Sequence, residues 1–269
     1  MKVYIHIGSD KCGSTAIQTS LNRNREELIK QGVYLPTSGL GRSNGHSRCF
    51  KDKTGALFQS LINELQSVEN NFASAVISFE GIHFISEKDL AQRYYQLQEF
   101  DATAIYYVRD QAELIQSGIL QQWKTSSSSP PFEISLNKNR LFFDVAERWN
   151  TFLNNQTNVA VFDRSAFPNG DITLDFYTRL GVGDLSNITA VRSDFNDRLA
   201  FESAYLLSAL DRMLPMEKSR RQGLVGALII AQDEFDLTKY FLSQSDVEST
   251  RTHYQKNNKL LEKNMSFPR

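Results

Sequence analysis

The sequence predicts an α/β protein with a central parallel sheet, flanking helices and a C-terminal helical layer. Four short apolar runs rich in β-forming residues recur along the chain, and the segments between them are long enough to carry crossover helices. Beyond residue 193 the pattern is helical only. The 269 residues therefore fit a single domain, with an α/β core at about 1–182 and a helical layer at about 190–265.

Each predicted strand is apolar almost without interruption, which is typical of strands buried on both faces of a parallel sheet. The four runs are VYIHI (3–7), AVISF (75–79), TAIYYV (103–108) and NVAVF (158–162). Apolar residues at helical spacing predict helices as well. These lie near 57–65, 114–120, 142–152 and 199–210, with a charged final helix near 247–263. The serine- and proline-rich stretch 125–131 predicts a mobile loop.

The composition is that of an ordinary globular protein, with 23% charged residues and a net charge of −1. This balance gives no reason to expect nucleic acid or an anionic membrane as a partner, and it leaves the oligomeric state open. No apolar run is long enough for a signal peptide or a membrane span, so we expect a cytoplasmic protein. Cys12 and Cys49 are expected to be free thiols, and no residue spacing predicts a metal site.

Residues 5–15, IHIGSDKCGST, predict a strand, a glycine loop and the start of a helix. Residues 8–15 of this segment are called the 8–15 loop from here on. Unpaired backbone N–H groups and the helix dipole at this loop favour the binding of an anion. Nucleotide-binding loops of NTPases place a lysine directly after the second glycine, but here Lys11 precedes Gly13. A turn that binds nothing is the alternative. The predicted anion-binding residues are Lys11, Cys12, Gly13, Ser14 and Thr15.

Cys12 suggests a second interpretation, the nucleophile of a phosphatase. Such loops place an arginine six residues after the cysteine, but this position is Gln18. The phosphatase interpretation therefore fails, and Cys12 is expected to be a small loop residue. Its place beside Lys11 and a helix N-terminus favours a lowered thiol pKa.

KCGST (11–15) resembles the 5′-phosphosulfate loop of sulfotransferases that use 3′-phosphoadenosine-5′-phosphosulfate (PAPS), in which the lysine also precedes the glycine. In that family an arginine that ends a later strand and a serine eight residues on hold the 3′-phosphate. YYVRDQAELIQSG places Arg109 and Ser117 at this spacing. An arginine and a hydroxyl suit a terminal phosphate because both give it strong, oriented hydrogen bonds.

The resemblance covers residues 2–182, through less specific segments such as ISFEG (77–81) and VFDRSAF (161–167). Asp10 and Gln111 depart from the family, where proline is common at both positions. The third cofactor segment of the family is matched only faintly, by SRRQGLVG (219–226).

The resemblance implies transfer of a sulfuryl group from PAPS to an acceptor hydroxyl or amine, with 3′,5′-ADP as the product and no metal. Lys11 and the loop amides would stabilise the leaving phosphate. A general base must take the proton of the acceptor, and the candidates are Glu80 and His46, with His83 next. Pairing with Lys11 would instead make Glu80 a positioning residue. The acceptor is a small molecule, a lipid or a glycan.

Two other functions fit the loop. One is a nucleotide kinase or NTPase of the P-loop type, whose nucleotide binding would depend on magnesium. The other is a non-catalytic nucleotide-binding protein of the same fold, which would bind 3′,5′-ADP without forming a sulfated product.

Overall fold

The computed structural model confirms the predicted fold class, an α/β protein with an all-parallel central sheet flanked by helices. It describes residues 1–41, 44–125, 134, 136, 140–190, 199–214, 216–232, 234–235, 237, 241–265 and 267. Most of the serine-rich stretch 125–131, for which the sequence predicts a mobile loop, lies outside these residues.

The sheet has five strands in the order β2-β3-β1-β4-β5. Their bounds are β1 (Lys2–Gly8), β2 (Val33–Tyr34), β3 (Ser74–Glu80), β4 (Asp101–Val108) and β5 (Thr157–Val161). All four predicted strands are present, and they are buried as their apolar runs require: Ile5, Ile77 and Ile105 are completely inaccessible to solvent. The additional strand, β2, is too short to leave a pattern in the sequence.

Eleven α-helices lie within the described residues. They are α1 (Ser14–Arg23), α2 (Arg25–Lys30), α3 (Ser47–Lys51), α4 (Ala56–Val68), α5 (Glu87–Arg93), α6 (Gln111–Thr125), α7 (Phe142–Phe152), α8 (Ile172–Arg179), α9 (Phe201–Met213), α10 (Lys218–Gln232) and α11 (Gln244–Asn264). The predicted helices correspond to α4, α6, α7, α9 and α11. Short 3₁₀ turns include Ile82–Phe84, directly after β3.

The order of the strands determines where a ligand can bind. The connection after β1 leads to β2 on one side of the sheet, whereas the connection after β4 leads to β5 on the other. β1 and β4 are neighbours, so the two connections leave the sheet in opposite directions at adjacent carboxyl ends. In parallel α/β sheets this is the position of the ligand crevice.

The chain divides into two compact units. The single domain with a core ending near residue 182 stays a prediction. Unit 1 contains the sheet and comprises Met1–Arg109, Lys138–Val191 and Lys256–Arg269. Unit 2 comprises Asp110–Asn137 and Arg192–Gln255 and contains α6, α9 and α10. The first boundary falls directly after Arg109, well before the predicted end of the core near residue 182.

Unit 2 is held together by a buried ion pair. Arg221 of α10 donates to the carboxylate of Asp211 of α9, with Nη2 and Oδ2 2.9 Å apart and both side chains almost inaccessible. The same guanidinium donates to the carbonyls of Trp123 and Lys124 in the last turn of α6. Arg221 thus satisfies carbonyl groups that a helix end leaves unpaired. In the segment 219–226, which faintly resembles a cofactor segment, this arginine has a structural role.

Candidate functional site

The 8–15 loop connects β1 to α1 through two residues in the left-handed backbone region. Lys11 has a φ of 59° and Gly13 a φ of 80°. Gly8 begins the turn, and a Cβ atom there would lie 2.8 Å from the Phe79 carbonyl oxygen and 2.9 Å from the Glu80 Cα. The loop therefore requires glycine at position 8 for space and at position 13 for conformation.

The N-terminus of α1 has the properties of an anion site. Gly13 is its N-cap, and glycine has no side chain that could accept a hydrogen bond from the first turn. The Ser14 hydroxyl instead donates to the Ser9 carbonyl at 3.2 Å, which ties the turn to the end of the strand. The N–H groups at the start of the helix are thus not neutralised by a side-chain cap, and they carry the positive end of the helix dipole.

Arg109 follows β4 directly and reaches the 8–15 loop. Its side chain is buried, and Nη1 donates to the carbonyl oxygen of Lys11 at 3.4 Å. The guanidinium carbon lies 5.3 Å from the centre of the Phe162 ring, which is within cation–π range. Lys11 and Arg109, predicted from the sequence as two parts of one site, are therefore neighbours in unit 1.

Phe162 is a residue of the site that the sequence reasoning missed. It follows β5 directly, and a Cβ atom at Gly13 would lie 3.1 Å from its ring and 2.7 Å from Ile172. The ring therefore contacts both the loop glycine and Arg109. An aromatic residue just beyond the carboxyl end of a strand was the available signal, since such positions line the crevice of a parallel sheet.

Ser117 lies in unit 2, where it is buried on α6. The neighbouring Gln116 side chain accepts hydrogen bonds from the backbone N–H groups of Phe241 and Leu242 within the same unit. Joint binding of a 3′-phosphate by Arg109 and Ser117 stays a prediction.

Glu80 ends β3 and is paired in register with Gly8, the first residue of the loop. Its backbone N–H donates to the Ser47 hydroxyl, which in turn donates to the Glu80 carbonyl, both at 3.3 Å. Among the described residues, no hydrogen bond or ion pair engages the Glu80 carboxylate. This half-buried carboxylate at the carboxyl edge is suited to accept a proton.

His83 lies one 3₁₀ turn beyond Glu80 and is oriented by the same loop. Its Nδ1–H donates to the Gly8 carbonyl at 2.9 Å, so the lone pair of the neutral ring is on Nε2. Burial lowers the pKa of His83, and the nearby Asp10 carboxylate opposes this shift. A neutral imidazole with a fixed tautomer is a competent base. His83, which the sequence analysis placed after Glu80 and His46, is therefore a stronger candidate for the general base than the sequence indicated.

The structure speaks against His46 as the base. The side chain is completely buried, its Nε2–H donates to the Pro36 carbonyl at 3.2 Å, and Nδ1 accepts from the Ser78 backbone N–H at 3.2 Å. Both ring nitrogens are therefore occupied by the backbone, and neither can meet an acceptor hydroxyl. The glycine-rich sequence around His46 suggested an accessible loop, but the residue is part of the core.

The expectation of a lowered thiol pKa at Cys12 is wrong. The side chain is completely buried in the loop, and burial raises the pKa of the thiol to about 12, although Ser9 and Arg109 act in the opposite direction. Desolvation of a thiolate outweighs these favourable neighbours. Cys12 is therefore protonated. It is a small buried residue of the loop, as the sequence analysis expects.

Acid should destabilise the fold through its buried histidines. Burial lowers the pKa of His6 to about 3 and that of His46 to about 4. An unfolded histidine titrates near pH ~6.5, so between this pH and about 4 these two residues bind two more protons in the unfolded chain than in the folded one, and His83, whose pKa is also lowered, acts in the same direction. The contribution of these histidines to the free energy of unfolding is fully present above pH ~6.5. Below this pH it falls, by up to about 3 kcal/mol per pH unit.

Urea unfolding at pH values between about 7.5 and 5 measures this slope. His46→Gln should reduce it by the contribution of one proton, whereas Thr252→Gln, at an exposed position of α11 that carries no titratable group, should leave it unchanged. A free energy of unfolding that is constant across this range would contradict the assignment.

Two further findings concern the described residues. Within these ranges, no three His, Cys, Asp or Glu side chains are grouped so that they could hold a metal ion. None of the helices described has the length and apolar character needed to cross a membrane. A comparison with protein-family models and with curated proteins found no match to this chain.

Proposed function

We propose that this protein is a sulfotransferase that uses PAPS and moves a sulfuryl group to an acceptor hydroxyl or amine. The observation that carries the proposal is the backbone of Lys11, a lysine held at a positive φ in the 8–15 loop. A side chain other than glycine costs free energy in this region, and such strain is concentrated at functional sites. A lysine retained at this cost points to a need for its ammonium group.

The residues around Lys11 fit PAPS. The uncapped N-terminus of α1 and the ammonium group suit the 5′-phosphosulfate, and the buried Arg109 offers a guanidinium to a second phosphate. When bound, PAPS supplies the sulfuryl group. Lys11 and the α1 amides stabilise the charge that develops on the departing 5′-phosphate, and Glu80 or His83 takes the proton of the acceptor.

The proposal is tested by the nucleotide that the protein prefers. Calorimetry without added magnesium should show much tighter binding of 3′,5′-ADP than of 5′-AMP, because the 3′-phosphate adds a charged hydrogen-bonded contact. Arg109→Ala should remove most of this preference, which corresponds to about 1.5–3 kcal/mol.

Arg164→Ala is the matched control, since it removes one positive charge from an exposed position after β5 in the same unit. It should leave the preference unchanged. Arg109→Lys keeps the charge but loses the planar fork, so it should recover only part of the preference. Equal affinities for the two nucleotides in the wild-type protein would contradict the proposal. Binding that requires magnesium would favour a kinase or NTPase.

A further inference from the structure

The segment around His46 was singled out by the sequence but takes no direct part in the proposed chemistry. The structure places His46 and Ser47 beside the second half of β3, on the side of this strand that faces away from β1. β3 ends in Glu80, the first candidate for the general base. The two residues therefore lie where they can act on this base through its backbone.

Each of the two residues forms a reciprocal pair of hydrogen bonds with one residue of β3. The His46 backbone N–H donates to the Ser78 carbonyl at 2.6 Å, and the His46 Nδ1 accepts from the Ser78 N–H at 3.2 Å. The Ser47 hydroxyl accepts from the Glu80 N–H and donates to the Glu80 carbonyl, both at 3.3 Å. A single side chain thus engages both backbone groups of Glu80.

On its other side, the end of β3 is held by β1. Glu80 is paired in register with Gly8, and the Gly81 N–H donates to the Gly8 carbonyl at 3.2 Å. Because the backbone is fixed from both sides, the direction of the Glu80 carboxylate depends only on the torsion angles of its own side chain. Of these contacts, the one with Ser47 is made by a side chain, so a substitution can remove it.

The same segment is connected to α1, whose N-terminus has the properties of an anion site. The Gln18 amide of α1 donates to the Ser78 hydroxyl at 2.9 Å in the core. Gly45, directly before His46, packs against this amide, since a Cβ atom at Gly45 would lie 2.4 Å from the Gln18 Nε2. These contacts connect the helix at which an anion would bind with the strand that carries Glu80.

We propose that Ser47 is a positioning residue, which together with His46 holds Glu80 in place relative to the N-terminus of α1. As a statement about catalysis, this inference rests on the proposed function, with Glu80 as the general base. A base acts only within hydrogen-bond distance of the proton that it takes. A misplacement of about 1 Å can cost about 10²-fold in rate. His46, excluded as the base, thus contributes to the position of the base.

Ser47→Ala removes both hydrogen bonds to Glu80. We expect kcat to fall by about tenfold or more, whereas the affinity for 3′,5′-ADP stays unchanged, because the substitution leaves the 8–15 loop intact. Ser47→Thr keeps the hydroxyl and should recover most of the turnover. Ser60→Ala is the matched control, since it removes a hydroxyl that donates to the Ala56 carbonyl on the exposed side of α4, and turnover should stay normal. Circular dichroism verifies that every variant is folded.

A double-mutant cycle separates the positioning of Glu80 from general damage to the protein. If Ser47 acts through Glu80, then Ser47→Ala should lower kcat no further in a protein that already carries Glu80→Gln. Normal turnover in Ser47→Ala would overturn the proposal. Losses in kcat that multiply in the double variant would overturn it as well.

Hydrogen exchange of the Glu80 amide, measured by NMR on the protein without nucleotide, tests the same contact independently of activity. This amide should exchange about tenfold faster in Ser47→Ala than in the wild-type protein, because it has lost its acceptor, while the amides of β1 keep their rates. An unchanged rate would overturn the proposal. Faster exchange in a protein whose wild type forms no sulfated product would contradict the proposed function and support only the fixing of Glu80 by Ser47.

Discussion

Glu80→Gln is expected to lower kcat by about 10²–10⁴, the usual effect of removing a positioned general base, while the affinity for 3′,5′-ADP stays unchanged. The substitution keeps the shape of the side chain and removes only its capacity to accept a proton. Steady-state kinetics with a sulfated product detected by mass spectrometry, together with calorimetry, separates the two quantities. Glu80 is the first choice because its carboxylate lies at the carboxyl edge of β3, beside Gly8.

His83→Asn is the paired experiment, since an asparagine amide can still donate to the Gly8 carbonyl but has no ring Nε2. If Glu80 is the base, this variant should retain most of its turnover. If His83 is the base, His83→Asn should instead show the large loss, and the acidic limb of the pH profile of kcat/KM should disappear with it. Loss of nucleotide affinity in Glu80→Gln, equal to the loss of turnover, would show that Glu80 only orients Lys11.

Lys11→Gly is expected to lower kcat by about 10²-fold or more, by analogy with the loss of one donor to a developing oxyanion. The affinity for 3′,5′-ADP should fall less, because the ammonium group acts mainly on the transition state. Lys11→Ala should lose the same turnover. A variant with normal kcat and weak binding would show that the lysine is only an anchor.

The two Lys11 variants should differ in stability. Lys11 has a φ of 59°, so alanine keeps the backbone strain, whereas glycine relieves it. Urea unfolding should therefore find Lys11→Gly more stable than Lys11→Ala by up to about 1 kcal/mol, after the entropic cost of glycine. Asn169→Gly, at a φ of 52° in an exposed turn, is the control and should leave turnover unchanged. An inactive Lys11→Gly variant that is more stable than Lys11→Ala would show that the lysine is held at its positive φ at a cost in stability.

The parts of the fold that the sequence predicted are those with strong periodicity. The buried parallel strands have continuous apolar runs, and α4 or α7 have a clear apolar stripe, so burial and pattern agree. β2 has two residues and no pattern to detect. Helix α10 was not predicted as a separate element, although Leu224, Val225, Leu228 and Ile229 recur at helical spacing on its half-buried face.

For the site, the spacing of residues along the chain predicted which residues lie close together, but it did not predict how deeply each side chain is buried. Lys11 and Arg109 follow adjacent strands, and strand order alone brings them together. The roles of Cys12 and His46 depended on burial, which one sequence does not reveal. Phe162 was missed because its contact with Arg109 depends on β5 lying beside β4, a pairing that the apolar runs do not specify.

The hydrogen bonds of His46 have a consequence for the solubility of the protein. β2 pairs only with Ser74 and Ala75 of β3, and further along this outer edge His46 donates its backbone N–H to the Ser78 carbonyl while its Nδ1 accepts the Ser78 N–H. A side chain thus replaces the missing strand. Protonation of Nδ1 would set two N–H groups against each other and free an edge that can recruit strands from other molecules. Burial lowers the pKa of His46 to about 4, so we expect the folded protein to aggregate as the pH falls through this value.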